Sequence, residues 1–156
     1  MYSILRGVQT REELEFALEL KINCIGFVFD KKDSRHIKAE AARELGFLMP
    51  PHLGIAGFFG EDKRYEVEEI ASFCRLQWLF LDKNREEGEE KKYFLPVVWN
   101  LAREKVYAQN SYYYIEQNEE IPLCYPELKI FLSWEKILQH KIMPQGVILD
   151  LPKKRS

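Results

Sequence analysis

The sequence predicts an α/β fold built on parallel strands, and three observations lead there. Through the first half, short apolar runs rich in Ile, Val, Phe and Leu alternate with segments of helical period, the pattern of βαβ units around a sheet buried on both faces. Further on, apolar runs continue but the stretches between them shorten. With 156 residues, 46% of them apolar, the chain suffices for one globular domain spanning 1–156, not for two.

The elements follow in order. Ser3 to Arg6 reads as the first strand, closed by Gly7. Thr10 then caps a helix whose apolar stripe is Leu14, Leu18 and Ile22 with Phe16 and Ala17, and Glu13 completes a capping box. Cys24 to Phe29 is the second strand, and the polar loop Asp30 to His36 leads to a helix from Lys38 to Leu48, which Pro50-Pro51 stops. Leu53 to Phe59 is the third strand, ended by Gly60. Arg64 to Cys74 places Val67, Ile70, Ala71 and Cys74 on one helical face. The fourth strand, Gln77 to Leu81, closes on Asp82. Asp82 to Lys92 is almost wholly charged around Gly88 and reads as an exposed loop. Four more strands follow: Phe94 to Trp99, Tyr112 to Ile115, Lys129 to Leu132 and Gly146 to Leu149. Between them stand two short helical candidates, Asn100 to Lys105 and Trp134 to His140, and an irregular stretch from Gln117 to Glu127 holding Pro122 and Pro126. A (β/α)8 barrel typically uses ~250 residues and rarely fewer than ~200. The choice therefore lies between a barrel with helices lost from its second half and an open sheet.

Composition narrows the function classes. A formal charge of -2, from 23 basic and 25 acidic residues mixed along the chain, provides no extended basic face, so no nucleic-acid partner is expected. The Lys153-Lys154-Arg155 run reads as a solvated terminus. No apolar run approaches the ~20 residues of a membrane span, and no signal segment opens the chain, so a soluble, cytoplasmic protein without membrane contact is expected. Cys24, Cys74 and Cys124 are widely spaced and read as buried free thiols. His36, His52 and His140 are isolated, so neither a metal nor a cofactor is expected.

Gly26-Phe27-Val28-Phe29, followed by Lys32, Ser34 and Arg35 and a helix ending at Pro50-Pro51, resembles phosphoribosylanthranilate isomerase, whose second strand and loop read G-F-[VI]-F and then K-S-P-R. Ile4-Leu5-Arg6-Gly7 resembles that family's first-strand K-I-C-G, Ala56-Gly57-Phe58-Phe59 its third-strand G-V-F-V, and Trp78 to Lys83 its fourth-strand V-V-Q-L-H-G. The similarity covers residues 1 to about 83 and is topological afterwards. It implies a shortened α/β (β/α)8, TIM-barrel-like fold with helices missing or reduced in the second half. It also implies, as the family's role, an Amadori isomerisation in tryptophan biosynthesis.

That reaction turns an aminoaldose into an aminoketose and needs a base for the C2 proton and an acid for the ring oxygen. In the family the base is the cysteine of K-I-C-G, a position held here by Arg6, which stays protonated at physiological pH. Ile4 replaces the motif lysine. Glu116, after Tyr113-Tyr114-Ile115, matches the family's sixth-strand aspartate and is a candidate acid, with Asp82 a second candidate. The family's phosphate loops read A-G-G-L and S-S-G-V-E; here they are Leu132-Ser133-Trp134-Glu135 and Asp150-Leu151-Pro152-Lys153, without the glycines whose N–H groups would cradle a dianion.

Three readings stay open from sequence. The first is a family member without isomerase activity, acting as a binding or regulatory module. The second is an enzyme with a rebuilt mouth, taking a small anionic or polar ligand through Arg6, Arg35, Ser133 and Asp150 with Glu116 or Asp82 catalysing; alternatively those charges pair with one another and merely close the barrel top. The third is an interaction protein, a homodimer through the helix-poor half if Trp78, Trp99, Trp134 and the Tyr112–Tyr114 run are exposed.

Overall fold

A computed structural model of the chain describes residues 2–83, 93–100, 103, 112–114, 129–133 and 145–151. The strands are β1 (Tyr2–Arg6), β2 (Cys24–Val28), β3 (Gly54–Phe59), β4 (Trp78–Leu81), β5 (Val97–Asn100), β6 (Tyr112–Tyr114), β7 (Lys129–Ser133) and β8 (Gly146–Asp150). Each pairs in parallel with the next, and β8 pairs with β1 through Tyr2–Gly146 to Arg6–Asp150, so the sheet closes on itself. This removes the open-sheet alternative. The described helices are α1 (Arg11–Glu19), α2 (Ala39–Phe47) and α3 (Arg64–Cys74), all before β4. Residues 29–53 and 60–77 connect early strands, whereas 101–111, 115–128 and 134–145 join later ones.

The two sides of the barrel wall differ in composition because alternate side chains point to opposite faces. Outward, Leu5, Ile25, Phe27 and Leu79 meet Leu14 and Ala17 of α1, Ala42 and Leu45 of α2, and Val67, Ala71 and Cys74 of α3. Inward lie Ile4, Val28, Phe58, Phe80, Val98, Tyr114, Phe131 and Ile148. Barrel interiors favour Val, Ile and Leu, but this one is aromatic: Phe58 stacks on Phe80 with centroids 4.3 Å apart, and Phe131 and Tyr114 meet Phe80 edge-on at 5.5 and 5.4 Å. Small residues make room for the rings. A Cβ on Gly26 would stand 2.7 Å from the Phe58 ring.

Local rules explain most boundaries. Thr10 Oγ1 accepts from Glu13 N–H at 3.1 Å while Glu13 Oε1 accepts from Thr10 N–H at 3.2 Å, the reciprocal box expected for α1. Three expectations are corrected. Phe16 and Leu18 are 46% and 36% exposed, because α1 is short and buries only Leu14 and Ala17. Phe94 is 92% exposed and precedes β5, which begins at Val97. Asn100, expected to open a helix, ends β5 and is buried. The candidate helix Trp134 to His140 and the stretch Gln117 to Glu127 lie outside the described residues. Trp99 and Tyr113 are fully buried, Tyr114 is buried and Trp78 half-buried, so the condition set for a dimer through them is not met there; Trp134 is outside the described residues. Cys24 and Cys74 are buried free thiols, as expected, while Cys124 is not among the described residues. Burial pushes them up, Cys24 to about 12 and Cys74 to about 11. No described helix is long and apolar enough to cross a membrane.

Candidate functional site

Parallel strands deliver all their C-terminal ends to one rim, where barrels of this type carry their chemistry. Alternation decides what that rim presents. Arg6 lies two residues beyond inward-facing Ile4, Asn100 two beyond Val98, Ser133 two beyond Phe131 and Asp150 two beyond Ile148, so the four belong to the inward set at the mouth. Asn100 and Ser133 are the buried polar side chains among the described residues.

Arg6 is the centre of the arrangement. Its guanidinium stands over the Phe58 ring, 5.0 Å from the centroid, capping the aromatic column. Nη1 donates to Asp150 Oδ1 at 3.1 Å and Nη2 to Asp33 Oδ2 at 3.2 Å. Strand register supplies the first partner, since Arg6 and Asp150 are aligned across the β1–β8 seam. The second comes from the loop after β2, where Asp33 Oδ1 accepts from Arg35 N–H at 2.8 Å and Asp33 N–H donates to Asp30 O at 3.1 Å. Gly7 makes the turn possible: its φ of +98° is left-handed, and its N–H donates to Gly26 O at 2.8 Å.

Asp82, directly after β4, accepts from Asn100 Nδ2 at 3.0 Å and from Arg103 Nε at 2.9 Å, both on Oδ1. Arg35 has partners on α1 and just before it. It bonds Glu13 Oε2 and Gln9 Oε1 and so ties the β2 loop to the N-terminus of α1. Glu13 is held below its ordinary 4.5: burial opposes this, but the Gln9 N–H and the Arg35 guanidinium outweigh it. Asp62, between β3 and α3, is raised by burial and by the neighbouring Glu66 and Asp30 carboxylates, despite hydrogen bonds that lower it. Glu116, the sequence's candidate acid, lies outside the described residues. No cluster of three or more metal-ligating side chains occurs among the described residues.

Of the sequence-derived residues, the fold thus joins Arg6 to Asp150, brings Asp82 and Ser133 to strand ends, and pairs Arg35 with Glu13 and Gln9. Sequence reasoning missed Asp33, Asn100 and Arg103. Asn100 was detectable by alternation from Val98; the Asp33 contact depends on how a loop folds back and left no periodic signal.

Chemically, the described rim is a paired-charge surface. Arg6 cannot act as a base, and two carboxylates offset its positive charge. No protein-family model matches the chain. Comparison with known proteins nevertheless finds N-(5'-phosphoribosyl)anthranilate isomerase from Moorella thermoacetica, 43% identical over 75 residues, 48% of this chain and 33% of that one. Over its first half the chain is thus similar to phosphoribosylanthranilate isomerases. It spans about a third of the length of this relative. A phosphoribosylanthranilate isomerase solved with reduced 1-(o-carboxyphenylamino)-1-deoxyribulose 5-phosphate superposes with a TM-score of 0.81 at 20% identity, over 100% of this chain and 92% of that one. Monomers derived from the dimeric phosphoribosylanthranilate isomerase of Thermotoga maritima give 0.79 at 17% identity, over 100% and 92%. At these identities the superpositions show the shared barrel fold.

Proposed function

We propose that this chain is a member of the phosphoribosylanthranilate isomerase family that does not perform the Amadori rearrangement and serves as a binding or regulatory module. One observation carries the reading: Arg6, which the sequence resemblance matches to the family's cysteine base, stands at the end of β1 held between Asp33 and Asp150. Proton abstraction at C2 needs a group that can accept a proton at neutral pH, and a doubly paired guanidinium cannot. The loop sequences after β7 and β8 add to this, since they lack the family's glycines. Asp150 sets a carboxylate on the same rim, where a dianion would be repelled.

Incubating the purified chain with phosphoribosylanthranilate and following loss of substrate fluorescence tests the proposal. No rate above the uncatalysed background is expected, and growth of an isomerase-deficient strain without tryptophan should not be restored. Turnover at an enzyme-like kcat would sink it. The 43% identity with the Moorella isomerase favours a second reading, an active enzyme with a rebuilt site. In that case Glu116→Gln or Asp82→Asn would abolish a measurable rate.

A further inference from the structure

A cavity of about 300 Å³ opens on the outer flank of the barrel, between α3 and the residues that lead into β5. It lies where the described helices end: α3 is the last of them, and Leu79, on the outer face of β4, forms part of the cavity wall. Two kinds of lining meet there. Glu68, Ala71, Ser72 and Arg75 follow at steps of one helical turn and so make a single stripe along α3 to its C-cap. Leu76, Leu79 and Leu95 supply the apolar side, and Phe94, 92% exposed, borders the opening. Pockets that hold small ligands run from roughly 300 to 1,000 Å³ and combine apolar walls with a few polar groups. This cavity stands at the small end of that range, about twice the size of one that already accepts benzene.

Two charged residues line the cavity, and burial separates their roles. Glu68 has one oxygen 3.9 Å from Arg64 and the other buried within the chain, so its charge is not offered at the opening. Arg75 is exposed and has no carboxylate partner among the described residues. Its guanidinium stands over the Phe47 ring, 5.8 Å from the centroid, a contact made through the flat face that leaves the in-plane N–H donors available. We infer that this flank is a binding site for a small amphipathic carboxylate, its apolar body against Leu76, Leu79 and Leu95 and its carboxylate on Arg75. The fork of an arginine matches the two oxygens of a carboxylate. The apolar body gains by leaving water for the leucine wall. A cation would be repelled by Arg75, and a neutral apolar molecule would leave its donors unused. The volume has room for one ring or a short acyl chain. This site is separate from the strand-end rim and does not depend on how Arg6 is read.

Titrating the full chain with octanoate, and separately with uncharged octanamide, tests this by calorimetry and by methyl resonances in NMR. Saturable one-to-one binding of octanoate below millimolar concentration is expected, with shifts at the Leu76, Leu79 and Leu95 methyls and weaker binding of octanamide. Arg75→Gln should weaken octanoate about 10-fold and leave octanamide as in the parent, because it removes a charge-assisted hydrogen bond that only the carboxylate can accept. Ser72→Trp sets an indole at the opening and should abolish binding of both. Ser72 and Arg75 are exposed, so the far-ultraviolet circular dichroism of each variant should match the parent's. Absence of saturable octanoate binding, an affinity indifferent to Arg75→Gln or to Ser72→Trp, or shifts confined to other methyls would each overturn the proposal.

Discussion

Arg6 shows how one side chain ties a barrel mouth together. At the end of β1 it spans the β1–β8 seam to Asp150, reaches the β2 loop at Asp33 and caps Phe58. Its side chain is 21% exposed, Asp33's 15% and Asp150's 40%, so the Asp33 pair is the better shielded and the Asp150 pair is partly screened. Arg6→Leu keeps an apolar contact with Phe58 but strands two carboxylates. A loss of about 1–2 kcal/mol is expected in urea denaturation, less than for a fully buried pair. Asp150→Asn should then cost less in the Arg6→Leu background than in the parent. Additive effects of the two changes would show that the pair contributes nothing. The arginine was plain in the sequence. Its partners were legible only in part: Asp150 had been singled out as a strand-end residue, but nothing in the order of residues joined it to a position at the other end of the chain.

At the scale of elements, α1 illustrates how local chemistry and tertiary contact reinforce each other. Its capping box was readable from Thr10 and Glu13, because three-residue spacing at a helix start is a local property. The additional use of Glu13, as the acceptor for Arg35 from the β2 loop and for Gln9 N–H, was not readable. Thr10→Ala should cost about 1 kcal/mol and lower Tm by about 2–4 °C. Glu13 has a folded pKa below its unfolded value, so its contribution is present above about 4.5 and is lost as pH falls through the lower folded value. Thermal melts across that acid range should therefore fall more steeply for the parent than for Glu13→Gln; equal slopes would remove Glu13 from the acid response. The misassigned stripe of α1 has a related cause. Leu18 and Phe16 fit a helical period, but the helix ends at Glu19 and only Leu14 and Ala17 reach the sheet.

At the scale of the molecule, closure depends on fitting aromatic rings into a space that other barrels fill with aliphatic layers. Phe58, Phe80, Tyr114 and Phe131 meet at 4.3 to 6.1 Å between centroids, each such pair contributing about 0.5–1.5 kcal/mol beyond its burial. The glycines opposite are the complement of those rings. Gly26→Ala should destabilise by about 1–3 kcal/mol through overpacking against Phe58, and Phe58→Leu should recover part of that in a double-mutant cycle; the absence of favourable coupling would argue against interdigitation. Sequence by itself determined the eight strands, the three helices of the first half and the likeness of that half to phosphoribosylanthranilate isomerases. Those follow from period, capping and motif, which are local properties of the chain. Only the tertiary structure decided that the sheet closes, that Arg6 is held by Asp33 and Asp150, that Arg35 serves α1, and that Phe94 stands outside the core. Each of these depends on residues far apart in the chain meeting at one point, and the order of amino acids does not encode such meetings until the barrel wall brings them together.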